Sequence, residues 1–341
     1  EQVMRLKNKP NVLVTVLTWN HKSFTELCLK YLLRNTKTRH KILVIDQGST
    51  DGTLELLRNY KDNYEIELIE NGKNLGIAAS INIGMKIAVE REMDFCFFSN
   101  DVVAGDNWLE ALQDGVYKSD IIGGGSPYIG PESTYDEFVN MEFRHRYRNI
   151  YWPRLRQDPS FGELKELVDE LHGGDYQNFT ENWAETRKDI PPLFEWFSMV
   201  MYIKRSTIEK VGYFDEQFYP SHWEDLDYMV RMNNEELYRV GVTGSYVFHF
   251  STITTRSEWR DGDKEMNRLA NENEVRFNKK WRVFLPYNQR RHDIPDGDKY
   301  EPKERVPLLP FPVSQANENR AHNKWWTNAE YEEYLKNAKK N

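Results

Sequence analysis

In this 341-residue chain, Ser99-Asn100-Asp101 closes an apolar run, DFCFFS. A carboxylate at the end of such a run can hold a hard cation against a diphosphate. An aspartate there can equally be an ordinary turn or cap residue. Further on, HWEDLDYMVR groups Glu224, Asp225 and Asp227 where a helix should begin. Acids in that position complement the helix dipole, and one of them could also take a proton from a reacting group. Asp225 and Asp227 stand two apart and do not share a helix face, whereas Asp227 and Arg231 are four apart and predict an ion pair. His249, in VFHFST, reads as a hydrogen-bonded core histidine or, with Asp101 nearby, as a metal ligand.

The elements that must position these residues are legible as an alternation of strand and helix patterns from Asn11 to Asp120. NVLVTVLT, KILVID, EIELIE and DFCFFS predict four strands. SFTELCLKYLLRN, STDGTLELLRNY and GIAASINIGMKIAVE predict the crossover helices, with Ile77, Ile81, Met85 and Ala88 at helical spacing. Ser49 or Thr50 is expected to cap the second helix, with Asp51 in its first turn. The pattern predicts an α/β fold, a single Rossmann-like domain with a mostly parallel central sheet. Its ligand crevice should lie at the carboxyl ends of the strands, at Thr18-Trp19-Asn20, Asp46-Gln47-Gly48 and Ser99-Asn100-Asp101.

From Ser126 to Pro192 the chain is aromatic, charged and poorly periodic, which predicts an insertion over one face of the sheet. SMVMYIKR then reads as a returning strand, STIEKVG as a short helix, and YRVGV with YVFHF as a final strand pair. Beyond Trp259 come a charged helical pattern, the proline-containing VPLLPFPV and a last amphipathic helix in TNAEYEEYLKNAKK. The expected organisation is a domain over 11–255, divided into 11–125, the insertion 126–192 and 193–255, followed by a C-terminal helical extension over 256–341.

Lys and Arg number 46 and Asp and Glu 54, a net charge of −8, so no global basic field exists to attract a nucleic acid. The two cysteines, Cys28 and Cys96, sit in apolar stretches as small buried hydrophobes. No apolar run approaches the ~18–20 residues of a membrane span, and EQVMRLKNKP lacks the apolar stretch of a signal peptide. A cytoplasmic location is the expectation.

Taken in order, TWN, VIDQGSTDGT, NLGIAASINIG, SND, VGYFDEQF, EDLD and HFST resemble the motifs of glycosyltransferase family 2, an inverting family with the A-type fold, over residues 11–255. The resemblance implies transfer of a sugar from a nucleotide-sugar donor, UDP-linked, to the hydroxyl of a carbohydrate or other acceptor, with Mn²⁺ or Mg²⁺. Thr18, Trp19 and Asn20 would line the base and ribose side, and Asp46 would accept from the base or ribose. Asn74, Gly76 and Asn82 would shape the wall, and Asn100 would hydrogen-bond ribose. Asp101 and His249 would hold the metal, and Asp225 would be the general base. Acceptor contacts are expected from the insertion and from Trp196, Phe197 and Glu224. Two positions depart from the common pattern. Gln47 replaces a second aspartate, so that base recognition rests on Asp46 and an amide, and Asn100 replaces the first acid of the metal motif. The alternatives are a nucleotidyltransferase and a noncatalytic sugar-nucleotide or glycan-binding module.

Overall fold

The structure, a computed structural model, describes residues 11–130, 147, 154–155, 159–189, 193–194, 199–250 and 264–281. Four parallel strands begin it: β1 (Val12–Thr18), β2 (His40–Asp46), β3 (Ile66–Glu70) and β4 (Asp94–Ser99). The helices α1 (Lys22–Asn35), α2 (Thr53–Asn63) and α3 (Ile77–Glu90) connect them. Next come β5 (Val102–Ala104), α4 (Trp108–Val116), β6 (Ile122–Gly130), α5 (Phe161–Leu171) and α6 (Tyr176–Arg187). The chain continues through β7 (Leu193–Phe194), β8 (Val200–Ile203), α7 (Arg205–Val211), α8 (Glu224–Asn234), β9 (Tyr238–His249) and α9 (Lys264–Trp281).

The sheet runs β3-β2-β1-β4-β8-β6-β9-β5, with β7 also on β9. Strands β3, β2, β1 and β4 are mutually parallel, as are β6 and β9, while β8, β5 and β7 pair antiparallel with their neighbours. The inner strands β1, β2 and β4 are mostly apolar because both faces are covered, whereas the edge strand β3 carries Glu67 and Glu70. Val12, Val14 and Val16 pack with Leu29, Leu32 and Leu112 on one side. Leu13, Leu43 and Phe95 pack with Ile81, Met85 and Met232 on the other. Cys28 and Cys96 are buried free thiols, as their setting predicts.

A third apolar cluster joins β5, β6 and β9 to helices from the stretch that reads as an insertion, through Val103, Tyr128, Tyr246 and Phe248 against Leu164, Leu167 and Trp183. Helix α5 opens with a reciprocal capping box between Ser160 and Glu163, and Asp175 caps α6. Among the described residues, no helix is long and apolar enough to cross a membrane.

Three details differ from the sequence reading. YRVGV and YVFHF form one twelve-residue strand, β9, rather than a pair. Its register against β6 jumps from Pro127↔Val242 to Tyr128↔Tyr246, so Thr243-Gly244-Ser245 bulge out instead of turning. The bulge is held by bonds from outside the sheet: Trp183 Nε1 donates to the Thr243 carbonyl at 2.7 Å and Ser245 Oγ to that of Trp108 at 2.6 Å. Strand β6 carries the sheet past Ser126 as far as Gly130. Helix α2 starts only at Thr53, after Gly52 at φ 89°, because Asp51 Oδ1 takes both the Thr53 N–H and its hydroxyl. Ser49 Oγ instead accepts from the Asn20 N–H at 2.7 Å.

Candidate active site

Asp101 lies in the two-residue step between β4 and β5, and β5 pairs with the end of β9 through Val102↔His249. The Phe250 N–H donates to the Asp101 carbonyl at 3.0 Å, which fixes the two segments side by side. As a result Asp101 Oδ2 and His249 Nε2 meet at 3.1 Å, both buried. Ser99 Oγ donates to Asp101 Oδ1 at 2.6 Å. Burial alone would raise the Asp101 carboxyl, but the adjacent imidazole and the Ser99 hydroxyl prevail and hold it at about 2. The pair that sequence reasoning named thus comes together from residues 148 positions apart. It offers one carboxylate and one imidazole, a donor set that suits a divalent cation whose other positions are filled by ligand oxygens. Among the described residues no set of three or more His, Cys, Asp or Glu side chains is placed to hold a metal.

The ends of β1 and β2 are knotted together. Asn20 and His21 both take left-handed backbone, at φ 56° and 58°, a conformation that costs about 1 kcal/mol or more per non-glycine residue. Asn20 Oδ1 accepts from the Thr50 N–H at 2.8 Å, and the Lys22 N–H donates to Asp51. Asp46 is buried, and its Oδ2 accepts from the N–H groups of Gly48 and Ser49 at 2.9 and 3.0 Å. Its Oδ1 is buried with no partner. A polar oxygen left bare in a protein interior is costly unless a ligand donor meets it. Trp19 is half-buried directly after β1.

Several expected ligand contacts are engaged within the protein. Gln47 Nε2 donates to Ser80 Oγ and the Gly76 carbonyl, and its Oε1 accepts from Asn71 and from the Leu75 N–H. Its amide therefore builds the turn, which removes it from base recognition. Asn100 Nδ2 reaches Thr25 Oγ1 at 2.9 Å, Thr18 Oγ1 at 3.2 Å and the Asn20 carbonyl at 3.4 Å, so it ties β4 to the end of β1. Thr18 Oγ1 also bonds Thr25 Oγ1. Asn82 clamps the segment after α7, donating to the Phe214 carbonyl and Glu216 and accepting from the Phe214 N–H. Asn74 Oδ1 accepts from the Gly76 N–H. Gly76 sits at φ 83°, and a Cβ there would stand 2.8 Å from the Tyr219 ring and 3.1 Å from the Pro220 carbonyl, so only glycine fits without displacement.

Helix α8 begins after His222 and Trp223, both left-handed at φ 72° and 77°. Asp225, half-buried in its first turn, accepts from the Leu226 N–H at 2.7 Å. Burial pushes its carboxyl up to about 6, against the opposing pull of that N–H and of Arg239. Glu224 is more deeply buried, its Oε2 has no partner, and burial together with the Asp225 charge holds it well above the usual carboxylate range. Asp227 is wholly buried and bonded to Arg231 Nε at 3.0 Å, as the four-residue spacing predicts. Lys280 Nζ at 2.7 Å and Trp281 Nε1 at 2.8 Å, both from α9, complete its partners. Nothing in its local sequence signals these last two.

On the insertion side, Tyr128, Phe179, Trp183 and Tyr246 line a groove of about 450 Å³ rimmed by Asn178 and Asn182. Trp196 and Phe197 lie outside the described residues.

Residues 13–174 match the model of glycosyl transferase family 2. The chain is 26% identical over 145 residues to glycosyltransferase AglE of Haloferax volcanii, covering 40% of this chain and 47% of that protein. It is 30% identical over 125 residues to an uncharacterized glycosyltransferase of Haemophilus influenzae, covering 36% of this chain and 38% of that one. It thus spans less than half the length of either relative. A mannosyltransferase of Pyrobaculum calidifontis, solved with GDP-Man and Mn²⁺, superposes with a TM-score of 0.48 at 15% identity, over 80% of this chain and 66% of that one. Together with the α/β sheet and the order of motifs along it, the match makes residues 13–174 a stretch similar to the glycosyl transferase family 2 domain.

Proposed function

We propose that the chain transfers a sugar from a nucleoside-diphosphate donor, UDP-linked, to an acceptor hydroxyl, inverting the anomeric centre. The observation that carries this reading is the buried Asp101–His249 pair after the carboxyl end of β4, on the same edge of the sheet as the turn after β2 that holds the bare Asp46 oxygen. A nucleobase or ribose donor would satisfy Asp46 Oδ1, while Asp46 Oδ2 keeps the turn closed. Asp101 and His249 would hold a Mn²⁺ or Mg²⁺ ion, which when bound supplies positive charge to the departing diphosphate.

The chain's own residues then divide the work. Asp101, ionised at neutral pH, and His249 anchor the phosphate end of the donor. The walls made by Gly76 and the Asn20 turn orient its nucleoside. Asp225, with a carboxyl near neutrality, takes the proton of the acceptor hydroxyl as its oxygen bonds to the anomeric carbon. The bond from that carbon to the diphosphate breaks on the opposite side, which inverts the centre. Glu224, buried beside Asp225, shapes the acceptor side, and the groove along α6 gives the insertion a surface of aromatic rings and amides for acceptor choice.

The test incubates the chain with UDP-glucose, UDP-galactose, UDP-N-acetylglucosamine and GDP-mannose, each with Mn²⁺ or Mg²⁺ and a panel of saccharide acceptors. The expected result is release of the intact nucleoside diphosphate and a glycoside of inverted configuration by NMR. Retained configuration, or cleavage of the donor to sugar phosphate and nucleoside monophosphate, would overturn it, and tight donor binding without turnover would favour a binding module.

A further inference from the structure

We infer that helix α9, acting through Asn273, is the positioning element for the Asp225 carboxylate. This rests on the reading of Asp225 as the base. Asn273 is wholly buried, and its Nδ2 donates to two backbone carbonyls of the segment leading into α8, Tyr219 at 3.0 Å and Ser221 at 2.9 Å. Arg276 donates to the Asn273 Oδ1, so the amide presents its N–H groups to that segment. The intervening carbonyl, Pro220, accepts from the Ile77 N–H at 2.8 Å, at the start of α3 beside Gly76. Three consecutive carbonyls are therefore fastened, two by α9 and one by the wall of the donor site.

The left-handed pair His222 and Trp223 comes next along the chain, then Glu224 and Asp225. Such backbone persists only where its surroundings over-determine it. Helix α9 supplies that constraint on both sides. Phe277, wholly buried, sets its ring 5.1 Å from Trp223 and also packs near Phe218. Lys280 binds Asp215 at 2.8 Å before the segment and Asp227 at 2.7 Å after it. Asn273 thus sets the height at which the chain enters α8, and with it the place of Asp225 relative to the donor wall. Displacing a reacting group by about 1 Å can cost about 10²-fold in rate.

The experiment compares Asn273→Asp, which keeps the shape and removes both N–H donors, with Asn273→Ala, Asp225→Asn and the double variant Asp225→Asn/Asn273→Asp. Turnover is read as nucleoside diphosphate released from the active donor and acceptor pair of the panel above, below the unfolding range of each variant. Hydrogen exchange is read over 219–227. The inference predicts faster exchange confined to that segment. It also predicts a kcat at least tenfold lower with an unchanged donor KM, and a double variant no slower than Asp225→Asn alone, because Asn273 acts through Asp225.

Unchanged exchange, a kcat loss below threefold, a loss explained by donor KM, or losses that multiply in the double variant would overturn it while leaving Asp225 as base. An active Asp225→Asn enzyme would instead overturn the base assignment and this inference with it. If the Asn273 variants fail to fold, Phe277→Leu weakens the same constraint and is read by the same criteria.

Discussion

Transfer by the proposed route requires an ionised Asp225, and burial holds that carboxyl up at about 6. The ionised fraction is then about 0.9 at pH 7, one half at pH 6 and about 0.1 at pH 5, so kcat should fall about tenfold between pH 7 and pH 5. Unfolding by this group cannot mimic the loss. A carboxyl raised in the folded state contributes stability that is fully present below its ordinary 3.8 and is lost as pH rises through about 6, the opposite direction. Asp101, held at about 2, stays ionised throughout the range. Asp225→Asn should lower kcat by about 10²–10⁴-fold, abolish the acidic limb and leave nucleotide affinity unchanged. The assay is diphosphate release at saturating donor from pH 4.5 to 8. A flat profile through pH 6, or an acidic limb that survives in Asp225→Asn, would refute the assignment.

Asp227→Asn should cost about 3 kcal/mol of stability, since it removes a buried charge from Arg231 and Lys280, while donor affinity in the folded protein stays the same; denaturant titration with calorimetry checks both. Asp46→Asn should weaken nucleotide binding by about 10–100-fold, the worth of one charged hydrogen bond, with Tm unchanged or raised because the bare oxygen is costly in the free protein. A lowered Tm with full affinity would make Asp46 a turn residue only. Gly76→Ala should cost about 1–3 kcal/mol, since φ 83° with ψ 164° is backbone that essentially only glycine adopts, and push Tyr219 aside, which is visible as lower thermal stability and weaker nucleotide binding together.

The parts of the fold that are plain in the sequence are those fixed by local pattern. β1, β2 and β4 have mostly apolar centres because both faces are covered, and α3 shows its buried side at Ile81, Met85 and Ala88. The Asp227–Arg231 pair follows from helix geometry alone. Asp101 and His249 are each ambiguous where they stand, and only strand pairing across 148 residues gives them to each other. Other features had a local signal that the overall composition concealed: Ser160 and Glu163 have capping-box spacing at the head of α5. Gly123, Gly124 and Gly125 hide β6, since such residues have low strand propensity; here Gly125 is required because a Cβ would stand 2.7 Å from the Val240 carbonyl. The bulge at Thr243–Ser245 and the grip of Asn273 and Lys280 on the entry to α8 depend on partners more than fifty residues away, so no window of sequence reveals them.

Transfer by this route depends most directly on the Asp101–His249 pair as the place where the donor diphosphate is held. Calorimetric titration of UDP and GDP into the wild-type chain and Asp101→Asn, first with Mn²⁺ and then with chelator, measures it. The expected result is tight binding of UDP with Mn²⁺, a loss of at least tenfold on chelation, and in Asp101→Asn a weak affinity that the metal no longer changes in a chain that stays folded. Equal affinity with and without the metal in the wild type, or metal-dependent binding that survives in Asp101→Asn, would contradict it.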